Sequence, residues 1–408
     1  MSNRLTNRIP EVRKPPDWRT VRLGDIVSFR NGERPTITSN GKYPVFGANG
    51  IMGMSASYLV DNPRTILVGR VGASGKVHVT EGKIWPSDNV LYTESCDTEI
   101  IDQKFLFYDL TYLDLRKLAT QTTHPLISQS ALGNIKIICP ALSEQRKIAS
   151  ILSTVDDAIE KTDEIIAKTQ QLKKGLMQQL LTKGIRHTQF KQTEIGEIPE
   201  EWQVVKLNDL IEKRFITYHL DGNHGELYPR PEEFVEQGVP FLSANMLIDG
   251  AVDFAKAKYV TEARANQFQK GIAEDGDVLL AHNATVGPVG ILETELPRVV
   301  IGTTLTAYRC NLESLSNQFL RYYVESNHFQ IQLQRIMKQT TRNQVPITAQ
   351  RNLYFAVPDI DEQREIASIL SRTDMKARTE KETKQSLMRL KKGLMQVLLS
   401  GRVRVRVD

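Results

Sequence analysis

The chain has no apolar run near the roughly 18 residues that a membrane span requires, and its polar opening, MSNRLTNRIPEVRK, lacks the hydrophobic stretch of a signal peptide. A cytoplasmic protein with no membrane contact is expected. Cysteine is scarce. Cys96, Cys139 and Cys310 stand far apart and form no CxxC, which excludes a zinc ribbon and a disulfide framework and leaves buried, reduced thiols. Catalytic machinery is missing too: there is no D/N-P-P-Y motif for adenine methylation, no nuclease-like carboxylate cluster and no nucleophile elbow. GRVGASGKV at residues 69–77 imitates a P-loop, but Arg70 stands where the first glycine is required and Val77 where a magnesium-holding Ser or Thr belongs. His219 and His224 straddle Asn223 without a second set of ligands, so they read as a polar loop, and neither a metal nor a cofactor is expected. The net charge of +5 is too small to announce nucleic-acid binding by itself. Basic surface must be local, with Lys173, Lys174, Lys391, Lys392 and the tail RVRVRV at 402–407 as candidates.

What the chain does have is a duplication. EQRKIASIL at 144–152 returns as EQREIASIL at 362–370, and LKKGLMQQLL at 172–181 as LKKGLMQVLL at 390–399. Both pairs are displaced by 218 residues, so two stretches of about forty residues match without a gap. The preceding blocks, 18–140 and 202–358, share far less and differ in length by about 34 residues. The plan is one variable globular block and one strict helix, made twice.

Pro140 and Ser143 mark the start of the first helix, Glu144 sits in the first turn where the macrodipole favours an anion, and Gly184 stops it. An apolar seam runs through Ile148, Leu152, Val155, Ile159, Thr162, Ile166, Thr169, Leu172, Leu176 and Leu180, alternating four and three except for an extra three-residue step into Leu172. The second helix repeats it through Ile366, Leu370, Thr373, Ala377, Leu387, Leu390, Leu394 and Val397. Gly175 and Gly393 occupy matched positions, where glycine costs about 1 kcal/mol relative to alanine, and a close backbone approach would explain both. Each helix is about 60 Å long. The connectivity predicts an antiparallel pair with a block at either end and an internal pseudo-two-fold axis. The alternative is two tandem domains, each packing its helix only on its own core.

The blocks read as short β-rich segments separated by glycine loops: YPVFGANG, TILVGRVGASGKVHV and NVLYTES in the first, VPFLSANM, DVLLAHNATVGPVGIL and VVIGTTLTAYRC in the second. Helical stretches such as 318–338 make the fold class α/β (α+β). Trp18 and Trp202 open equivalent positions and are expected to pack in the core.

This plan resembles the specificity subunit of type I restriction-modification enzymes, on the helix starts P-x-x-x-E-Q-R-x-I-A-x-I-L, the helix ends KKGLMQ and the junction TEIGEIPEEW at 193–202. The resemblance covers essentially the whole chain. It implies a target recognition domain at 1–142, a spacer helix at 143–184, a second recognition domain at 185–360 with a linker at 185–201, a second spacer helix at 361–400 and a basic tail at 401–408. It further implies that each domain reads one half of an asymmetric, bipartite double-stranded DNA sequence. The helices would dock two methyltransferase subunits, through which endonuclease subunits join, and the chain itself would be non-catalytic. The other readings are a coiled-coil scaffold with no DNA role and a self-sufficient fused modification enzyme; the absent cofactor motif speaks against the second.

Base reading under that resemblance needs forked donors and acceptors on exposed loops, while Ser, Thr and Lys hold phosphates. The candidates in the first block are Arg30, Arg34, Asn49, Arg70, Ser74, Lys76, Thr122, Thr123 and His124. In the second they are Tyr218, His219, Asn223, His224, Arg230, His282, Asn283, Thr303, Thr304, Arg342 and Asn343.

Overall fold

The structure, a computed structural model, describes residues 15–120, 123, 125–223, 225, 228–339 and 342–407. They form two compact units, one made of the chain up to Glu164 together with Lys381 onward, the other of Ile165–Glu380. Each unit therefore holds one variable block, the first half of the long helix that follows it and the second half of the other long helix.

In the first unit the β-branched and aromatic segments form β1 (Arg19–Arg22), β2 (Val27–Asn31), β3 (Tyr43–Gly47), β4 (Gly50–Ser55), β5 (Val60–Gly69), β6 (Val77–Pro86) and β7 (Val90–Cys96). Helices α1 (Gln103–Tyr112) and α2 (Gln129–Gly133), strand β8 (Lys136–Cys139) and the long helix α3 (Leu142–Lys183) follow. One sheet runs β2-β7-β5-β6-β3-β4, antiparallel except where β3 meets β6. β1 pairs with β8 from Arg19↔Cys139 to Arg22↔Lys136, which zips the two ends of the block together just before α3. Ile66, Val68 and Leu91 of the sheet share a core with Phe105 and Leu106 of α1, Ile148 and Leu152 of α3, and Met395 and Leu398 of the second long helix, Ile360–Leu398. Removing such side chains from water at about 25 cal/mol per Å² is the main stabilising term.

In the second unit Gln203–Lys206 pairs with Tyr354–Val357 as β1 does with β8. Strands Ile216–Asp221, Leu305–Cys310, Val278–Asn283 and Thr285–Ile291 lie side by side in that order, the counterparts of β2, β7, β5 and β6. In a five-stranded sheet with a small apolar core of its own, including Phe241, Val260 and Phe268, the parallel pair Val239–Leu242 and Val299–Ile301 matches β3 with the end of β6, and Phe234–Val235, Lys258–Val260 and Ile272–Ala273 extend it.

The repeated E-Q at the helix starts acts as a clamp. Trp18 and Trp202, both buried, donate their indole N–H to Glu144 and Glu362 at 3.1 and 2.9 Å. Buried Gln145 accepts from Asp102 N and donates to the carbonyls of Ile100 and Pro140; buried Gln363 accepts from Ser316 N and donates to those of Ser314 and Pro358. Arg404 donates to Glu144 and Asp17, and His187 meets Glu362 at 3.0 Å.

In both units the helices run antiparallel, and each helix half packs on the block of its own unit together with half of the other long helix, which removes the tandem-domain reading. In the first unit Asp156 pairs with Lys391 and Asp163 with Lys384; in the second Lys173 pairs with Asp374, and the residue numbers of all three pairs add to the same total. The seam itself needs correction. Leu172 and Leu390 are 56% and 51% exposed, while Lys173 and Lys391 turn inward, so the four-three alternation continues unbroken through Thr169, Lys173 and Leu176. Each ammonium is held by an aspartate of the other helix, beneath a tyrosine ring: Asp156 also accepts from Tyr108 and Asp374 from Tyr322. Lys173 and Lys391 are therefore not basic surface, and neither is Arg404 in the tail. The glycine reading also fails, because among the described residues nothing lies within 4 Å of a Cβ built on Gly175 or Gly393.

Asp109, on the inner face of α1, is buried with a carboxylate oxygen that has no hydrogen-bond partner among the described residues, and burial pushes its pKa up to about 7. Between roughly pH 4 and pH 7 the folded protein keeps a proton that the unfolded chain has released, so stability declines as pH rises through that window and is flat above it. Asp109→Asn is expected to stabilise the first unit by roughly 2–4 kcal/mol at pH 8 and by much less at pH 4.5. Urea unfolding at the two pH values checks this; an equal effect at both would mean the carboxyl is solvated.

Candidate nucleic-acid interface

Backbone hydrogen bonds gather the loops at one edge of the first unit's sheet. Arg70 N donates to Asn89 O, Arg70 O accepts from Ile127 N, and Val71 bridges Leu126. Ser87 N reaches Phe46 O, and Glu33 N reaches Pro86 O. The 70–76 turn closes on itself through Gly75 N to Gly69 O. Gly75 has φ +83°, and a Cβ there would meet Arg116 N at 2.6 Å, so the close approach requires glycine. Lys76 Nζ donates to Asn49 O at 3.2 Å and His78 Nε2 contacts Ala48 O at 3.1 Å, pinning the β3–β4 turn to the β5–β6 hairpin.

This edge brings together Arg34, Asn49, Arg70, Ser74 and Lys76, with Thr123 exposed in the segment that packs on the turn. Arg34, Asn49 and Lys76 are exposed; Arg70 is half-buried, with its Nε unpartnered among the described residues. Ser74 spends its hydroxyl proton on the carbonyls of Arg70 and Pro125, so it shapes the turn. Arg30 lies on β2 and is paired with Glu94 at 2.8 Å. Thr122 and His124 lie outside the described residues.

The second unit builds the same edge from different side chains. Its hairpin turns at Ala284, φ +63°, whose N donates to Asn343 O; Asn283 bridges Gln344, and Val345 N donates to His282 O. His282 N reaches Thr304 O, and Thr304 Oγ1 accepts from Ala244 N. Asn283, Thr303 and Thr304 are half-buried here, and Arg342 and Asn343 are exposed. Arg230 is exposed on a separate loop, its backbone N–H held by Glu233. His224 lies outside the described residues.

Four candidates of the second block turn out to be framework residues. His219 is buried against Gln350, which also receives the Tyr308 hydroxyl, and burial moves its pKa down to about 4, so it is neutral. His282 is buried, contacts Val345 O, and its pKa is likewise lowered by burial. Asn223 is buried and donates to Lys270 O, and Tyr218 accepts from Ile272 N beneath the Arg309 guanidinium. Sequence places these polar side chains on the surface, but each spends one polar atom on buried backbone or a buried amide. Sequence reading also passed over Asn89, exposed beside Arg70, because nothing marks it except its place in the PSDN turn.

The model of the type I restriction modification DNA specificity domain matches residues 15–171 and 199–389. The chain belongs to that family. It is a specificity subunit of a type I restriction-modification system, a recognition component rather than a catalyst. The MjaVIII specificity subunit of Methanocaldococcus jannaschii is 28% identical over 97% of this chain and 95% of its own length, and the EcoBI specificity subunit of Escherichia coli is 23% identical over 72% and 64%. The fold is that of the S subunit from M. genitalium, with a TM-score of 0.64, 19% identity and coverage of 97% of this chain and 98% of that one. Among the described residues no helix of this specificity subunit is long and apolar enough to cross a membrane, and no group of His, Cys, Asp and Glu is arranged to hold a metal ion.

Proposed function

We propose that each unit reads one half of an asymmetric, bipartite double-stranded DNA target through the edge just described, and that the long helices dock two methyltransferase subunits, through which endonuclease subunits join. One observation carries the reading. Both units hold the same four strands in the same order, with a turn locked by the same kind of bridge, Val71↔Leu126 and Asn283↔Gln344, yet present different donors there. A common scaffold with different side chains at its edge is what two readers of different half-sites require. Exposed Arg34, Asn49 and Lys76 in one unit and Arg342 and Asn343 in the other supply the forked and cationic groups, with Arg70 and Thr123, and Asn283, Thr303, Thr304 and Arg230, as further contacts.

The test is to express the chain with its methyltransferase subunits, sequence the methylated adenines, and measure binding to the resulting duplex. Arg342→Ala and Arg70→Ala are each expected to weaken binding by about 1–3 kcal/mol and, where the arginine touches a base, to relax one position of the corresponding half. A loss that is uniform across sequences with a shallower salt dependence would assign that arginine to phosphate. Unchanged binding by both would remove this edge from the interface.

A further inference from the structure

We infer that the apolar tip of the β3–β4 hairpin, Ile51 with Met52, enters the major groove and packs on a thymine C5-methyl group, adding a base-specific contact to the half-site of the first unit. This rests on the reading that this edge of the unit faces DNA.

Ile51 is 65% and Met52 51% exposed, an unusual placement for two adjacent large apolar side chains on a hairpin. Exposed Met54 and Ile37 extend the patch, the Ile37 side chain lying where a Cβ on Gly53 would meet it at 2.8 Å. The tip is held rigidly. Gly50 takes φ +118°, Met52 Sδ lies 3.0 Å from the Cβ position of Gly47, and Lys76 and His78 hold the turn's carbonyls from the neighbouring hairpin. A fixed, protruding apolar knob is suited to one small apolar target rather than to an adaptable surface.

The charge around the knob says what approaches it. Residues 34–86, which contain both hairpins, carry Arg34, Lys42, Arg64, Arg70, Lys76 and Lys83 against two carboxylates, Asp61, 3.8 Å from Lys83, and Glu81, 2.7 Å from Arg64. Residues 87–120, which lead into and through α1, carry seven carboxylates against three Lys and Arg. A polyanion is drawn to the hairpins and repelled from the α1 side. Within the major groove of unmethylated DNA thymine alone presents a methyl group, and the adenine opposite presents the acceptor and donor that an asparagine amide matches. Exposed Asn49 stands two residues before Ile51, so one turn offers both halves of A·T chemistry, with Lys76 beneath it for a phosphate.

The experiment uses the full chain assembled with its methyltransferase subunits and the duplex identified by methylation sequencing. Each thymine of the first unit's half-site is replaced in turn by deoxyuridine, which removes only the methyl group. One replacement is expected to weaken binding about threefold to tenfold. In the Ile51→Ala, Met52→Ala double variant the parent duplex should bind more weakly by a similar factor and that same replacement should have no further effect, as a closed thermodynamic cycle demands. Both side chains are exposed, and an unchanged circular dichroism spectrum verifies the fold. A flat deoxyuridine scan, a half-site with no thymine on either strand, or a double variant still sensitive to the same methyl overturns the inference. So does a double variant that loses its methyltransferase subunits on gel filtration while the scan is flat, because the knob is then a protein contact. Lys76→Ala separates the two levels: if it weakens binding while the double variant does not, only the apolar contact is wrong, and if neither has any effect the DNA-facing edge is wrong as well.

Discussion

Replacing residues 19–139 by the corresponding block of a relative is expected to change the bases in one half of the methylated sequence and leave the other half as it was. The structure supplies the cut points. β1 and β8 are zipped, so both strands must travel together, and the segment at Leu126 that locks the 70–76 turn travels with them. Trp18 and Glu144 remain outside the exchanged block and keep its anchor. The Gln145 clamp survives the exchange because its partners, Asp102 N, Ile100 O and Pro140 O, are backbone atoms that any sequence provides. Sequencing methylated adenines from hosts that express the parent and the chimera reads the outcome directly. A change in both halves would mean that the units do not read independently, and no change would remove the first unit from recognition.

Asp374→Ala is expected to destabilise the second unit by about 3–5 kcal/mol, the largest effect of any single change considered for this chain. Arg321 is buried and donates to Asp374 at 2.7 Å; Tyr322 donates at 2.8 Å and Lys173 pairs with the other oxygen at 2.8 Å. Truncation leaves a buried guanidinium with Glu325 alone as its counter-ion among the described residues. Burial alone would raise the Asp374 pKa, but Arg321 and Lys173 more than offset it and the pKa lies below the ordinary value. The pair's contribution is therefore present above about pH 4 and lost as pH falls through the lowered pKa, and the variant should lack that acid-side loss. Hydrogen exchange resolved by unit is the appropriate measurement, since a chain of two units need not unfold in one step. Protection in the second unit that falls by less than a factor of ten would show that the cluster is solvated.

The gapless repeat, the two long helices and the β-rich order of the blocks were legible because periodicity and local propensity are properties of neighbouring residues. The E-Q pair at each helix start was visible as a repeat, but its work was not. A macrodipole accounts for Glu144 alone, whereas Trp18, Asp102 and Arg404, each tied to Glu144 or Gln145, come from three distant parts of the chain. Leu172 and Leu390 were assigned to the seam because hydrophobicity favours leucine over lysine at a buried position. The structure reverses this, since an aspartate on the opposing helix neutralises each ammonium, and no sequence window contains both partners.

Chemistry at the candidate interface divides the same way. The sequence by itself determined which loops carry the polar side chains, that a variable block and a long helix are each made twice, and, through its motifs, the family. Only the tertiary structure decided that Arg34, Asn49, Arg70 and Lys76 converge on one edge, that Arg30 is paired with Glu94, and that His219, His282 and Asn223 are buried. Whether a polar side chain faces solvent or satisfies a buried partner depends on which strands lie beside it, and strand order is set by pairings between residues far apart in the chain.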